Sequence, residues 1–482
     1  GRFLDEFTIV GLERTAPVHL SGGLADAHSP AASDGRAYWR ERVESAEPDA
    51  PERTRIRAAW FPTKRSVAAT RAGSELVAEV DGAVDAIDVD GHEVVWLRRD
   101  PNDRADSILE GCSFRSAGTA SCKTVEYVRS SLPITTMRLA EGRLFWTTRD
   151  GSRESISGCA LSRRGACRPI DPTGLDAADA SDRLLDFDGQ TILLLHRASG
   201  VPPQLELCRL LPIHDRARKR RDCEPIVVTI AGAPISPEAA ALDGDVLAFS
   251  LASSATASLL ASCQVDLATG DCPGRLVGEI VPGSRVKASG RRLVWLEPGP
   301  DSPPALVACE VDEVSGDCAI TRLAGASAAQ EAPDLADRWV VWEDLRADER
   351  SILGIELPAL SDLRPIRTLP GRLAGWTFAA EGIAADEASL RLEPVDVDDP
   401  TQWRSRLRLL PGGRGRLLLR APSDFVGHAV WRLVLRTDRG LEASRRVDVE
   451  VSPQVATRPK PAPHLLGTRR SRSGSRAATI RP

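Results

Sequence analysis

Ten cysteines in 482 residues fall into five sequential pairs, and the near-constant spacing of those pairs restricts the fold more than any other feature of the chain. The pairs are Cys112 and Cys122, Cys159 and Cys167, Cys208 and Cys223, Cys263 and Cys272, and Cys309 and Cys318. Successive pairs begin 47, 49, 55 and 46 residues apart. A period of that length marks one supersecondary unit repeated along the chain, each copy burying its apolar faces against its neighbours. Two of the units share the run Cys-x-Val-Asp-x-x-x-Gly-Asp-Cys, at 263–272 and 309–318.

A second element recurs through the same region: a tight turn leading into a β-branched or aromatic strand that tends to end in Trp. Its seven copies start at Asp34-Gly35, Asp90-Gly91, Glu141-Gly142, Asp188-Gly189, Asp243-Gly244, Ser289-Gly290 and Ala336-Asp337. The first and last copies lack cysteines but keep the period. Within one copy, residues 86–89, 93–97, 107–112 and 123–128 read as four short strands, and no helical period interrupts residues 80–370. Four strands in about 50 residues, repeated in series, describe a β-propeller blade. The expected fold is therefore all-β: a seven-bladed β-propeller over residues 1–370, with eight blades as the alternative and blades beginning near residues 28, 84, 134, 180, 236, 284 and 331. Residues 1–25 read as a half-repeat that either closes the ring with outer strands or is the remnant of a further blade.

The seventh copy carries a resemblance. Trp339-Val340-Val341-Trp342-Glu343-Asp344-Leu345-Arg346, followed by a strand at 351–357, is similar to the TolB-like propeller repeat, in which a Trp-Glu-Asp-x-Arg run precedes an Asp-Ile-Tyr strand. The chain departs from that pattern at Ser351-Ile352-Leu353. The resemblance implies a fold and no catalytic residues.

Each cysteine pair is expected to bridge the third and fourth strands of its blade, tying the exposed sheet edge to its neighbour. Closing loops of this length is worth roughly 2–3 kcal/mol per bond in the chain-entropy model. Zinc is the competing reading, but no Cys-x-x-Cys occurs and the pairs lie about a blade apart. Disulfides imply an oxidising location: secreted, periplasmic or cell surface. No stretch approaches a membrane-spanning length, and the chain does not begin with Met, so a removed export signal is compatible with it.

After about residue 370 the pattern changes to longer alternating strands at 388–394, 404–410, 416–420, 429–436 and 444–451. Residues 371–452 are expected to form a small β-sandwich, and its last hairpin resembles that of the PKD and cadherin-like group of immunoglobulin-like extracellular modules. Asp396, Asp398 and Asp399 stand where those modules often carry an acidic loop, which makes them calcium candidates against the plainer reading of a solvated turn. Residues 453–482 hold seven basic residues and no acid, a disordered basic tail by composition, which leaves −12 of the net charge of −5 on the rest of the chain. An acidic body gives no electrostatic case for nucleic acid.

Reactive groups are sparse. No nucleophile elbow, zinc-binding helix motif or phosphate-binding glycine loop occurs, and the seven histidines are scattered. His92 and His196 read as loop and strand-end residues, and Glu343 and Asp344 as turn anchors or partners of Arg346. The basic loop Arg216, Arg218, Lys219, Arg220 and Arg221 is a candidate recognition loop against a default solvated hairpin tip. No catalytic residue, cofactor or metal site is assigned. The sequence favours an exported, non-enzymatic protein that uses propeller loops to bind protein or glycan at the cell envelope; the alternative is a propeller hydrolase or lyase acting on polysaccharide through channel-facing carboxylates. Thiol titration of the denatured, unreduced protein from its native compartment is expected to find no free cysteine; ten reactive thiols would exclude the disulfide assignment.

Overall fold

The second strand of each repeat is apolar on both faces, and that forces the repeats to stack. In Glu93–Arg99, residues Val94, Val95, Trp96 and Leu97 are all buried. A strand buried on both sides needs a partner layer on each. Val94 and Trp96 pack against Tyr38 and Ile56 of the preceding repeat, while Val95 and Leu97 pack against Met137, Leu144 and Trp146 of the following one. Alternate side chains of one strand thus belong to two different cores, as the two-residue period dictates.

The computed structural model describes residues 18–453 apart from 22–26, 34, 44–51, 62–73, 92, 101–105, 114–121, 163–165, 171–179, 211–222, 253–256, 300–301, 313–315, 319, 324–328, 347–348, 362, 382–387, 411–412 and 439–441. The described residues contain seven four-stranded antiparallel sheets of this kind. Their inner strands are Ala27–Ser33, Val84–Asp90, Ile134–Ala140, Ala180–Phe187, Ala240–Asp243, Lys287–Ser289 and Ala329–Ala336. Each inner strand contacts the next, and the last contacts the first, so the sheets close into a ring. The architecture is a β-propeller. Among the described residues six of these sheets are continuous in sequence, and the sheet built on Ala329–Ala336 takes its outermost strand, Val18–His19, from far earlier in the chain, paired with Glu349–Glu356. Leu20 continues that pairing by donating its N–H to the Ile352 carbonyl at 2.8 Å.

The tight turns do more than reverse the chain. Ser33 accepts the Gly91 N–H at 2.8 Å, Asp90 accepts that of Gly142 at 3.0 Å, and Ser289 accepts that of Asp337 at 2.9 Å. Asp188 and Asp243 accept the N–H groups of Gly244 and Gly290 in the same way. The acid or serine ahead of one turn therefore caps the turn of the next blade. Gly91, Gly142, Gly244 and Gly290 all have positive φ, the conformation that presents this N–H and that glycine adopts without strain.

All five cysteine pairs are bonded, with Cα–Cα distances from 5.3 to 5.7 Å. The first cysteine of each pair lies near the end of the blade's third strand, and the second at or before the start of the fourth. Each bond closes the loop that carries the chain to the blade's outer edge.

Beyond the ring, two further four-stranded sheets share one core built on Trp376, Phe378, Trp403, Trp431, Leu433 and Val447. One runs in the order Ala359–Leu360, Leu373–Glu381, Arg414–Arg420, Arg404–Leu410; the other Ile366–Thr368, Glu442–Val451, Gly427–Thr437, Ala388–Asp396. Sequence reading found five of the strands but missed Leu373–Glu381, and missed Ala359–Leu360 and Ile366–Thr368, which are too short to show a period. Polar contacts join this sandwich to the ring: Ser444 donates to Asp312 at 2.7 Å, and Arg445 pairs with the buried Glu310.

Trp295 is fully buried between the fifth and sixth blades and donates to the Glu279 carbonyl at 2.9 Å. Trp295→Ala is expected to cost about 3–5 kcal/mol in urea denaturation. Leu276→Ala, at an exposed position, should stay within about 0.5 kcal/mol.

Candidate functional site

One register position recurs in every inner strand, and its charged members interact across the ring, Asp88 with Arg138, Lys287 and Asp334. It is the residue paired with the second strand just before the Trp position: Ala31, Asp88, Arg138, Asp186, Ala241, Lys287 and Asp334 in blade order. Five of the seven are charged, and Arg285 adds a sixth charge two residues ahead of Lys287. Neighbouring blades pair them. Arg138 donates to Asp186 at 2.9 Å, and Lys287 meets Asp334 at 2.6 Å.

Each acid also holds the next blade. Asp88 accepts the Leu139 N–H at 2.8 Å, Asp186 that of Leu242 at 3.0 Å, and Asp334 that of Ala32 at 2.8 Å. Arg138 further donates to the Leu185 carbonyl at 3.1 Å. The ring is thus lined by three acids and three bases at balanced charge, with hydrogen bonds running from blade to blade in one rotational sense.

Burial sets the electrostatics. It pushes the Asp88 carboxyl above the usual carboxylate range, against the pull of Lys287 and Arg138. For Arg138 burial works against the charge, but Asp186 and Asp88 outweigh it and hold the guanidinium above its ordinary value. Arg285 is lowered, first by the Arg138 charge and then by burial. The lining therefore favours the neutral form of Asp88 more than water would, and opposes the charge of Arg285.

Sequence reasoning did not find this ring, although a signal existed. Each position stands three or four residues ahead of the second turn residue in its repeat. What identifies it is register within the turn, not residue type, since the seven positions hold acids, bases and alanines.

Of the residues singled out from sequence, Glu343 is buried, accepts the Ser29 N–H, and lies 3.3 Å from Arg350 and 3.6 Å from His28. Burial opposes its charge, but His28, the Ser29 N–H and Arg350 outweigh that and lower its pKa. Asp344 is fully buried. His196 meets the directly opposite Asp182 at 2.6 Å between two strands of the fourth blade. Asp396 and Asp398 are exposed; Asp399 accepts from the Thr401 hydroxyl at 2.6 Å and from Gln402 at 2.7 Å, capping a single 3-10 turn. Among the described residues no group of three or more His, Cys, Asp or Glu is placed to hold a metal ion. Arg216, Arg218, Lys219, Arg220, Arg221 and His92 lie outside the described residues, as do the tail from 454 and the segment before Val18. No helix in the described residues is long and apolar enough to cross a membrane.

No known family model and no curated protein matches the sequence. Solved structures similar to the chain are propeller proteins. The β-propeller domain of the Trilobed protease from Pyrococcus furiosus matches at 9% identity and a TM-score of 0.43, over 69% of this chain and 95% of that one. Pyrococcus horikoshii acylaminoacyl peptidase matches at 8% identity and a TM-score of 0.44, over 89% of this chain and 66% of that one. Prolyl oligopeptidase B from Galerina marginata matches at 7% identity and a TM-score of 0.38, over 84% of this chain; the chain spans 44% of that protein's length. The shared feature is the fold.

Because the folded-state pKa of Asp88 lies above its unfolded value near 3.8, the folded protein holds a proton there that the unfolded chain releases. Stability from this group is present at low pH and lost as pH rises through the raised value. Asp88→Asn removes that loss, so the variant's Tm relative to the parent is expected to be higher at pH 7 than at pH 3.5. Calorimetry at the two pH values checks it, and an equal difference at both would count against a raised Asp88.

Proposed function

We propose that the protein is an exported, non-enzymatic binding or scaffold protein whose propeller loops recognise a protein or a glycan at the cell envelope. The observation that carries this reading is the use made of the channel acids. Asp186 and Asp334 each hold both a cation and the backbone of the next blade, so their oxygens serve the ring itself. A rigid ring of this kind is suited to presenting variable loops without reactive groups. Five disulfides fit an extracellular or periplasmic protein.

In this reading residues 1–370 are a propeller with repeats of the TolB-like kind, residues 371–452 an immunoglobulin-like module of the PKD and cadherin-like group, and residues 453–482 a basic tail. The long final hairpin formed by Gly427–Thr437 and Glu442–Val451 supports the second assignment. The loop with Arg216, Arg218, Lys219, Arg220 and Arg221 is its basic recognition candidate.

One feature of the lining favours the alternative of a polysaccharide hydrolase or lyase: among the described residues Asp88, unlike Asp186 and Asp334, makes no direct ion pair, and burial raises its pKa, the direction a general acid needs. Crosslinking in the native envelope, together with an assay for new reducing ends on a polysaccharide panel, separates the two. The binding reading expects a reproducible partner whose capture survives Asp88→Asn and weakens when Arg218, Lys219 and Arg220 become serine. Polysaccharide cleavage that disappears in Asp88→Asn would replace it with the hydrolytic reading.

A further inference from the structure

On the outer face of one sandwich sheet, two neighbouring strands carry six exposed arginines. Arg404–Leu410 is an edge strand paired with Arg414–Arg420, which pairs in turn with Leu373–Glu381. Alternate residues point outward: Arg404, Arg406 and Arg408 on the edge strand, and Arg414, Arg416 and Arg420 on its neighbour, are all exposed. Their inward alternates Leu407, Leu409, Leu417 and Leu419 pack on the sandwich core. Among the described residues Arg404, Arg406, Arg408, Arg414 and Arg416 make no ion pair, while Arg420 donates to the Gly371 carbonyl at 2.7 Å. This density of unpaired cations sits on a chain whose net charge is −5.

The arrangement is costly to the free protein. Arg404 stands directly opposite Arg420, and Arg408 directly opposite Arg416. Like charges in direct cross-strand register destabilise a sheet. Lysine or arginine on an edge strand also blocks pairing with another sheet, but that needs charge on the edge alone and does not explain the second row. The third strand adds shape. Gly375, Thr377 and Ala379 lie beside Leu418, Arg416 and Arg414, so a strip of short side chains runs along the foot of the guanidinium rows.

We propose that this face binds an acidic polysaccharide lying along the strands. Outward arginines on one strand repeat every ~6.8 Å and the two rows lie ~4.8 Å apart, which sets a two-row array of planar donors suited to carboxylate or sulfate groups spaced along a linear polymer. The outward positions carry no aromatic ring, which single-stranded nucleic acid uses for stacking. Bulky apolar side chains are confined to Leu373, Leu410 and Leu418, too few for the apolar belt by which a protein surface enters a bilayer. The site is built from sandwich residues and stands whether or not the propeller loops recognise a ligand.

Binding of the full chain to polygalacturonate, with neutral dextran as control, tests the proposal. The parent is expected to bind polygalacturonate and not dextran, and to weaken by about tenfold or more between 20 and 200 mM salt as counterions compete. The triple substitution Arg406→Gln, Arg408→Gln, Arg416→Gln should lose about tenfold or more in affinity at low salt, while its Tm is unchanged or higher because the Arg408–Arg416 repulsion is gone. A second variant, Arg469→Gln, Arg470→Gln, Arg472→Gln in the tail, should bind like the parent. Equal affinity of the face variant and the parent would overturn the proposal, as would loss confined to the tail variant. Binding to phosphatidylglycerol vesicles, to single-stranded DNA or to an acidic protein in place of polygalacturonate would overturn it as well.

Discussion

The structure depends on the burial of each blade's second strand between two neighbours. Val94 and Trp96 face one core while Val95 and Leu97 face another, and the same division repeats around the ring through Trp146, Phe249, Trp295, Trp342 and Trp39. No blade can satisfy both faces alone, so stability is a property of the closed ring. Among the described residues seven interblade cores and one sandwich core follow, with no single centre.

Closure then creates two tasks that local sequence handles separately. On the inside, polar groups brought out of water need partners, and the acids Asp88, Asp186 and Asp334 supply them to the next blade's backbone while Arg138, Arg285 and Lys287 balance the charge. On the outside, the fourth strands are exposed edges. Five blades secure theirs by a disulfide near the strand's beginning, and the seventh obtains its fourth strand from Val18–His19 at the other end of the chain. The first blade has neither device; its outer strand Glu75–Asp81 pairs antiparallel with Arg53–Trp60, and Arg53 and Arg55 reach across that pair to Glu79.

The sandwich spends its surface differently. Its inner face follows ordinary alternation, but the outer face of the sheet containing Arg404–Leu410 places arginine opposite arginine. Where the ring pairs Arg138 with Asp186 and Lys287 with Asp334, this face leaves its arginines open to solvent, a local conflict with folding for which the proposed polysaccharide site would account.

Much of the architecture was legible before any coordinates. The period, the turn positions, the strand order within a blade, the cysteine partners and the alternation of the last hairpin are all local patterns, because each is decided within one repeat or one strand pair. The candidate site was not, because its contacts are made across the closure. Asp334 reaches Ala32 across 302 residues and Glu343 reaches Ser29 across 314, while the other channel bonds skip roughly one whole repeat. Asp90, Asp188 and Asp243 looked like ordinary turn formers; only the neighbouring blade revealed them as caps of the next turn. The arginines of 404–420 were visible as letters, but which of them share a face and stand opposite one another is a matter of register. The sequence by itself determined the repeating unit, since that rests on side-chain periodicity; the tertiary structure alone decided which charges meet, since that rests on where closure brings distant repeats together.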